Sequence, residues 1–182
     1  MNVQSEQGML AGARRREVRK GEVLLRAGDE KVRAFYVASG CLRSYVIDGS
    51  GKEHVLLFAP EGWYVGDMKS QVRGVPASLF IDALEPSTVH EMDVEQAREA
   101  LNQDPAIGSV MFAKLQNHII TLQDRIIDLL ASTGEERYLR FIKTYPGLLQ
   151  RLPQKLIASY LGVTPESLSR IRRSIAGQGP QA

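Results

Sequence analysis

The sequence has almost no cysteine, because Cys41 is the only one among its 182 residues. A single thiol excludes an internal disulfide framework and any cluster that needs several thiolates from one chain. Long apolar runs are also missing, and the N-terminal stretch lacks the apolar core of a signal peptide. We therefore expect a cytoplasmic protein that does not bind a membrane.

The net charge is small but unevenly distributed. The whole chain carries a formal charge of +2, with 43% apolar and 24% charged residues, as in an ordinary globular protein. Residues 151–182 contain five basic residues and one acidic residue, whereas residues 1–150 carry a slight negative excess. This asymmetry predicts an anionic partner for the C-terminal segment alone.

Short β-rich runs fill residues 16–94 and alternate with Gly, Asp and Pro. The run Asp48-Gly49-Ser50-Gly51 between two of them indicates a hairpin, because Gly and Asp tolerate the positive φ of the turn. Closely spaced short strands are typical of an antiparallel barrel or roll. A short helix is expected to follow, with Asp93 as its cap and VEQAREALNQ as its body.

The longest helical pattern starts at Asp104-Pro105 and continues to about residue 131. Its apolar residues repeat at alternating intervals of three and four, which is the spacing of a seam between two helices. We predict a homodimer through this helix, although a helix packed on its own barrel would show a similar pattern. The expected interface residues are Leu115, Ile119, Leu122, Ile126 and Leu129.

The stretch QKLIASYLGVTPESLSRIRR, residues 154–173, predicts a helix-turn-helix. Ala158 lies where the second helix must approach the first, and Gly162 suits a left-handed turn because it has no Cβ. Thr164 can cap the second helix, and Pro165 suits its first turn. An ordinary helical hairpin would not require this combination of small residues and cap.

The second helix of this motif is therefore the expected recognition helix. Its residues that are not needed for packing divide into two groups by chemistry. Arg can contact guanine and a carboxylate can accept from cytosine, whereas other basic and polar residues hold phosphates. The expected base contacts are Pro165, Glu166, Ser169 and Arg170, and the expected phosphate contacts are Arg151, Gln154, Lys155, Arg172 and Arg173. Glu166 and Arg170, four residues apart, are also expected to form an ion pair that orients the arginine.

These features together resemble the Crp/Fnr family of bacterial transcription regulators. The matching segments are KGEVLLRAGD at 20–29, YVASGCLRSYV at 36–46, FAPEGWYVGD at 58–67 and LPQKLIASYLGVTPESLSRIRR at 152–173. The resemblance implies an α+β protein in which an antiparallel β-roll (a double-stranded β-helix) precedes a long dimerisation helix and a helix-turn-helix. The resemblance also implies that the helix-turn-helix domain is winged-helix-like, with a wing that is short or absent. The implied domains are residues 1–104, 105–131 and 132–182.

The chain departs from the family pattern where cyclic nucleotides bind. Members that bind them carry Gly-Glu for the ribose and then Arg-Ser or Arg-Thr for the cyclic phosphate. Here the first pair is Gly66-Asp67 and the second is Ala77-Ser78. We therefore expect a degenerate effector pocket at these four positions, with no cofactor and with cyclic AMP binding absent or weak. A different small-molecule effector remains open.

The recognition helix departs from the family pattern as well. The family often carries Arg-Glu followed four residues later by Arg, and here the first of these is Pro165. The operator is therefore expected to differ from the usual family site. The partners implied are double-stranded DNA, a second copy of the chain and, for an activator, RNA polymerase.

Two other functions compete with this interpretation. A cupin-like enzyme would hold a metal with closely spaced histidines, but His54, His90 and His118 lack that spacing, so no metal site and no catalytic residue are expected. A protein-interaction dimer that has lost DNA binding is harder to exclude. The basic C-terminal segment argues against it.

Overall fold

The computed structural model describes residues 8, 10, 12–93, 95, 99, 102 and 105–177. Most of the predicted helix VEQAREALNQ and most of the first 13 residues lie outside this range. The chain divides into two compact units, residues 1–117 and 118–182. The division falls inside a long helix. The bounds of the three domains that the sequence predicts stay a prediction.

The first unit is built on two four-stranded antiparallel sheets. One sheet has the order β1-β8-β3-β6 and the other the order β2-β7-β4-β5. The strands are β1 Arg14–Val18, β2 Val23–Leu25, β3 Ala34–Ser39, β4 Leu42–Ile47, β5 Glu53–Ala59, β6 Tyr64–Val65, β7 Phe80–Ala83 and β8 Ser87–Met92. The predicted hairpin is confirmed, since β4 pairs with β5 up to Ile47 and Glu53, and Asp48 Oδ1 accepts hydrogen bonds from the backbone N–H groups of Ser50 and Lys52.

The core of the roll consists of side chains at alternate strand positions. Phe35 and Val37 of β3 and Leu42 of β4 are at most 1% exposed, and they belong to one cluster with Ile81 and Val89. Alternation of this kind directs one face of each sheet toward the shared core. A short helix, α1 Met68–Arg73, lies between β6 and β7.

The long helix α2 spans Pro105–Ala131 and begins in the first unit. There Lys114 donates to the Gly62 carbonyl at 3.2 Å, and its ammonium lies 5.2 Å from the ring centre of Tyr64 and 5.6 Å from that of Tyr36. A cation over aromatic faces is stabilised by the ring quadrupoles. This part of α2 is therefore attached to the roll. No helix of the described residues is long and apolar enough to cross a membrane.

The second unit contains the end of α2 and four further helices. These are α3 Gly134–Thr144, α4 Leu148–Arg151, α5 Gln154–Leu161 and α6 Pro165–Gly177. Thr133 and Glu136 form a reciprocal capping box at the start of α3, and the predicted end of the long helix near residue 131 is confirmed. The α+β class, with a roll followed by a helix-turn-helix, is confirmed.

Candidate nucleic-acid interface and sensor pocket

The turn between α5 and α6 has the geometry that its glycine predicts. Gly162 adopts φ 66° and ψ 33°, in the left-handed region, and its N–H bonds to the carbonyls of Ala158 and Ser159. Ala158 is 1% exposed in the small core of the motif. A larger side chain at either position would separate the two helices or strain the turn.

The start of α6 is fixed by its cap. Thr164 Oγ1 accepts a hydrogen bond from the Ser167 amide at 3.2 Å, and Pro165 is the first helical residue. Leu168 is 1% exposed and points into the core of the motif. The helix therefore has one packed face, and its opposite face is presented to solvent.

The predicted base-contacting residues share that opposite face. Pro165, Glu166 and Arg170 are exposed and Ser169 is half-buried, and the helical period of 3.6 residues places Arg173 with them. Arg172 falls beside the packed face instead and is only partly exposed. The three phosphate-contact candidates outside α6 are all exposed: Arg151, Gln154 and Lys155.

The expected ion pair between Glu166 and Arg170 is not formed. Arg170 Nη2 instead donates to Ser167 Oγ at 3.1 Å, and among the described residues Glu166 has no salt bridge. The backbone amide of Glu166 and the Thr164 hydroxyl hold the pKa of Glu166 below its ordinary value, with a smaller contribution from the charge of Arg170. Ser167 therefore orients the arginine, a role that the sequence pattern did not indicate.

The four predicted pocket residues lie together in the roll. Ser78 donates to Asp67 Oδ2 from both its backbone amide, at 2.6 Å, and its hydroxyl, at 2.8 Å. Gly66 precedes Asp67, and a Cβ added there would lie 3.3 Å from Ala34 Cα and would displace the Gln71 side chain, whose amide nitrogen lies 2.6 Å away. The Ser78 hydrogen bonds connect the pair Gly66-Asp67 to the pair Ala77-Ser78.

Asp67 is also the N-cap of α1. Its Oδ1 accepts from the Ser70 amide at 3.1 Å, and the residue is only 2% exposed. Burial by itself raises the pKa of Asp67, but the hydrogen bonds from Ser78 and Ser70 outweigh this effect and hold the pKa below its ordinary value. The carboxylate therefore stays ionised. Its Asp-x-x-Ser spacing is a capping signal that sequence reasoning missed.

The side chain of Ala77 is buried and does not face a ligand site. The residue is 5% exposed and belongs to the core cluster of the roll, and its backbone forms hydrogen bonds with Gly28 and Asp29 at 2.8 and 2.9 Å. Lys69 and Arg73, the nearest basic residues in sequence, are both exposed.

The predicted dimer seam is apolar and accessible. Ile119 is 53% exposed and Ile126 is 58% exposed, and both lie on α2. Leu115 and Leu129 are also exposed, whereas Leu122 is half-buried. Apolar side chains at this spacing on a long helix form a contiguous strip, which is typical of a helix–helix interface.

The three histidines have three different environments. His54 Nε2 lies 2.7 Å from Asp48 Oδ2, the His90 ring contacts Tyr36, and burial lowers the pKa of His118. Among the residues that the structure describes, no group of three or more His, Cys, Asp or Glu side chains is arranged to hold a metal ion.

Comparison with known proteins matches residues 15–104 to the cyclic nucleotide-binding domain. The chain is 30% identical over 172 residues to the fumarate and nitrate reduction regulatory protein of Escherichia coli K12, covering 87% of this chain and 67% of that protein.

Solved structures with a similar fold are also regulators. The c-di-GMP-responsive global regulator CLP of Xanthomonas campestris gives a TM-score of 0.75 at 16% identity, covering 98% of this chain and 93% of that one. A CRP/FNR family transcriptional regulator from Thermus thermophilus gives 0.69 at 16% identity, covering 91% and 87%.

Proposed function

Because the chain belongs to the CRP/FNR family of transcription regulators, we propose that it binds an inverted-repeat operator as a homodimer, with α6 in the major groove. The observation that carries this proposal is α6 itself. It packs one face through Leu168 and presents Glu166, Arg170 and Arg173 on the other, within a segment of net positive charge. A recognition helix needs that division between packed and accessible faces.

Two kinds of contact follow from where the side chains lie. Pro165, Glu166, Ser169 and Arg170 occupy the first turns of α6, the part of a recognition helix that contacts base edges. Ser169 donates its hydroxyl to the Pro165 carbonyl at 3.0 Å, so its contact is made by the remaining lone pairs of that oxygen. The residues proposed to bind phosphates, and so to position the protein without specifying sequence, are Arg151, Gln154, Lys155, Arg172 and Arg173.

The dimer forms through α2. A two-fold axis beside its exposed strip would place two copies of α6 about 34 Å apart, one turn of DNA. The strip includes Ile119 and Ile126, which have more than half of their surface exposed in the single chain. RNA polymerase is the further partner if the protein activates transcription.

The roll does not bind cyclic AMP or cyclic GMP in this proposal. A cyclic phosphate is an anion, and burying one without a paired cation costs several kcal/mol. The position that supplies the cation in nucleotide-binding relatives is Ala77, inside the core. Asp67 already accepts hydrogen bonds from the Ser78 amide and hydroxyl, which would otherwise be free to donate to the phosphate. The site therefore contains its own carboxylate.

Selection of bound fragments from random double-stranded DNA tests the proposed function. The expected result is enrichment of an inverted repeat whose half-sites are centred about 10 base pairs apart or a multiple of that spacing. Repeating the selection with cell-extract metabolites shows whether an effector changes the enrichment. Binding without any enriched sequence, or no binding at all, would overturn the proposal.

A further inference from the structure

Arg137 of α3 holds carbonyl oxygens from two other helices at once. Its Nε donates to the Leu161 carbonyl at 2.8 Å. Its Nη1 donates to the Ser132 carbonyl at 2.5 Å and more weakly to the Asp128 carbonyl at 3.4 Å. A guanidinium has five N–H donors in a fixed plane, so one arginine can serve several acceptors in this way.

The acceptors are helix ends. Leu161 is the last residue of α5, and Ser132 directly follows the last residue of α2. Carbonyls at a helix C-terminus have no partner within the helix and carry the negative end of its dipole. Arg137 therefore supplies both the hydrogen bonds and the positive charge that these two ends need. It connects the end of the proposed dimer helix to the helix-turn-helix.

Close packing surrounds the same connection. A Cβ added at Gly162 would lie 3.0 Å from Leu129 Cδ2, so α2 contacts the turn between α5 and α6. A Cβ added at Gly134 would lie 3.0 Å from Ile171 Cδ1, so the start of α3 contacts the recognition helix. Side chains therefore pack closely against both glycines near the junction between α2 and α3. Rotation there would break the hydrogen bonds that Arg137 donates to the Ser132 and Asp128 carbonyls.

We propose that Arg137 is a positioning residue for DNA recognition, which fixes the direction of α6 relative to residues 118–131 of α2. In a dimer formed through α2, that direction sets the separation and angle of the two recognition helices, and hence the half-site spacing that the protein accepts. This inference rests on the proposed function. Arg137 itself contacts no DNA in this arrangement.

A distance measurement tests the positioning without DNA. Gln123 of α2 and Ser174 of α6 are exposed, so Cys introduced at both positions can carry spin labels. The native Cys41 is 0% exposed and should not react with the label. Labelled chains diluted with unlabelled chains report the distance within one protomer. We expect one narrow distance distribution, which Arg137→Ala broadens roughly twofold as α6 samples other directions.

Arg140→Ala is the matched control. Arg140 lies one turn further along α3 and binds the side chains of Asp128 and Ser132, but in the described structure its hydrogen bonds do not reach α5. Its removal should leave the distribution narrow. Thermal melts by circular dichroism establish that each variant is folded, and if Arg137→Ala is not, Arg137→Lys replaces it, since an ammonium cannot span both carbonyls. A distribution as narrow in the Arg137 variant as in the Arg140 variant overturns the proposal.

Binding to operators of altered spacing then tests the consequence. The unmutated protein should prefer its best spacing over one a base pair longer by about tenfold, and Arg137→Ala should reduce this ratio to about threefold or less. A ratio unchanged by Arg137→Ala contradicts the inference but leaves the proposed function intact. If no variant binds DNA specifically, the proposed function fails, and the distance measurement alone decides whether Arg137 positions α6.

Discussion

Replacing Asp67 with Ala should destabilise the roll by about 3 kcal/mol. The change removes the N-cap of α1, which is worth about 1 kcal/mol. It also removes two hydrogen bonds from Ser78, worth about 1 kcal/mol each. This is less than is usual for a charged acceptor, because Ser78 is exposed and water can reach its freed donors.

Urea unfolding followed by tryptophan fluorescence measures this loss. Trp63 is the only tryptophan in the sequence and packs against the core of the roll, so its emission reports on this unit. With a slope of about 2 kcal/mol per M in urea, 3 kcal/mol lowers the midpoint by about 1.5 M. Ser78→Ala, which removes one hydroxyl donor, should cost only about 1 kcal/mol.

The pH dependence gives a second signature. Because the folded-state pKa of Asp67 is depressed, its stabilisation is complete above the unfolded-state pKa and is lost as the pH falls through the folded-state pKa. The difference between the unmutated protein and Asp67→Ala should therefore shrink on acidification. Asp29→Ala is the control, since Asp29 accepts one exposed backbone N–H. If Asp67→Ala costs no more than Asp29→Ala at pH 7, the reasoning about a buried, hydrogen-bonded carboxylate is wrong.

Three further outcomes are expected from the same structure. Charged residues in place of Leu122 and Ile126 should give monomers by sedimentation velocity, whereas the unmutated protein is expected to be a dimer at roughly micromolar concentration; a monomeric unmutated protein would refute the interface. Arg170→Ala should cost about 1–3 kcal/mol and relax preference at one base position, whereas Arg173→Ala should weaken all sequences alike and flatten the salt dependence. Equal losses on specific and random DNA for both variants would contradict this difference. Calorimetric titration with cyclic AMP should show no binding at roughly micromolar concentrations, and a micromolar dissociation constant would overturn the proposal for the roll.

The turn of the helix-turn-helix could be predicted from its sequence because local backbone conformation determines it. Gly162 has the left-handed geometry that only a residue without Cβ adopts cheaply, and Thr164 caps the helix that Pro165 begins. The apolar strip along α2 could be predicted in the same way, because a spacing of three and four residues depends on the helix alone. Its role as a dimer interface stays a prediction.

The interior of the pocket could not be predicted in this way. The sequence shows Asp67 where relatives carry Glu, and it predicts a degenerate pocket without indicating what the carboxylate contacts. The carboxylate turns onto Ser70 and Ser78, and the second of these contacts joins residues eleven positions apart. The Ser167–Arg170 contact was missed for a different reason, because several partners lie within reach on one helix face and the pattern does not choose between them.

The Asp67–Ser78 contact also limits how this lineage can change. Arginine introduced at Ala77 would enter the core of the roll beside an ionised carboxylate, and the two side chains would neutralise each other before any phosphate arrived. Asp67 would have to change first, and that step alone destabilises the roll while it restores nothing. On the proposal that the roll does not bind cyclic nucleotides, arginine at Ala77 alone is therefore not expected to introduce such binding.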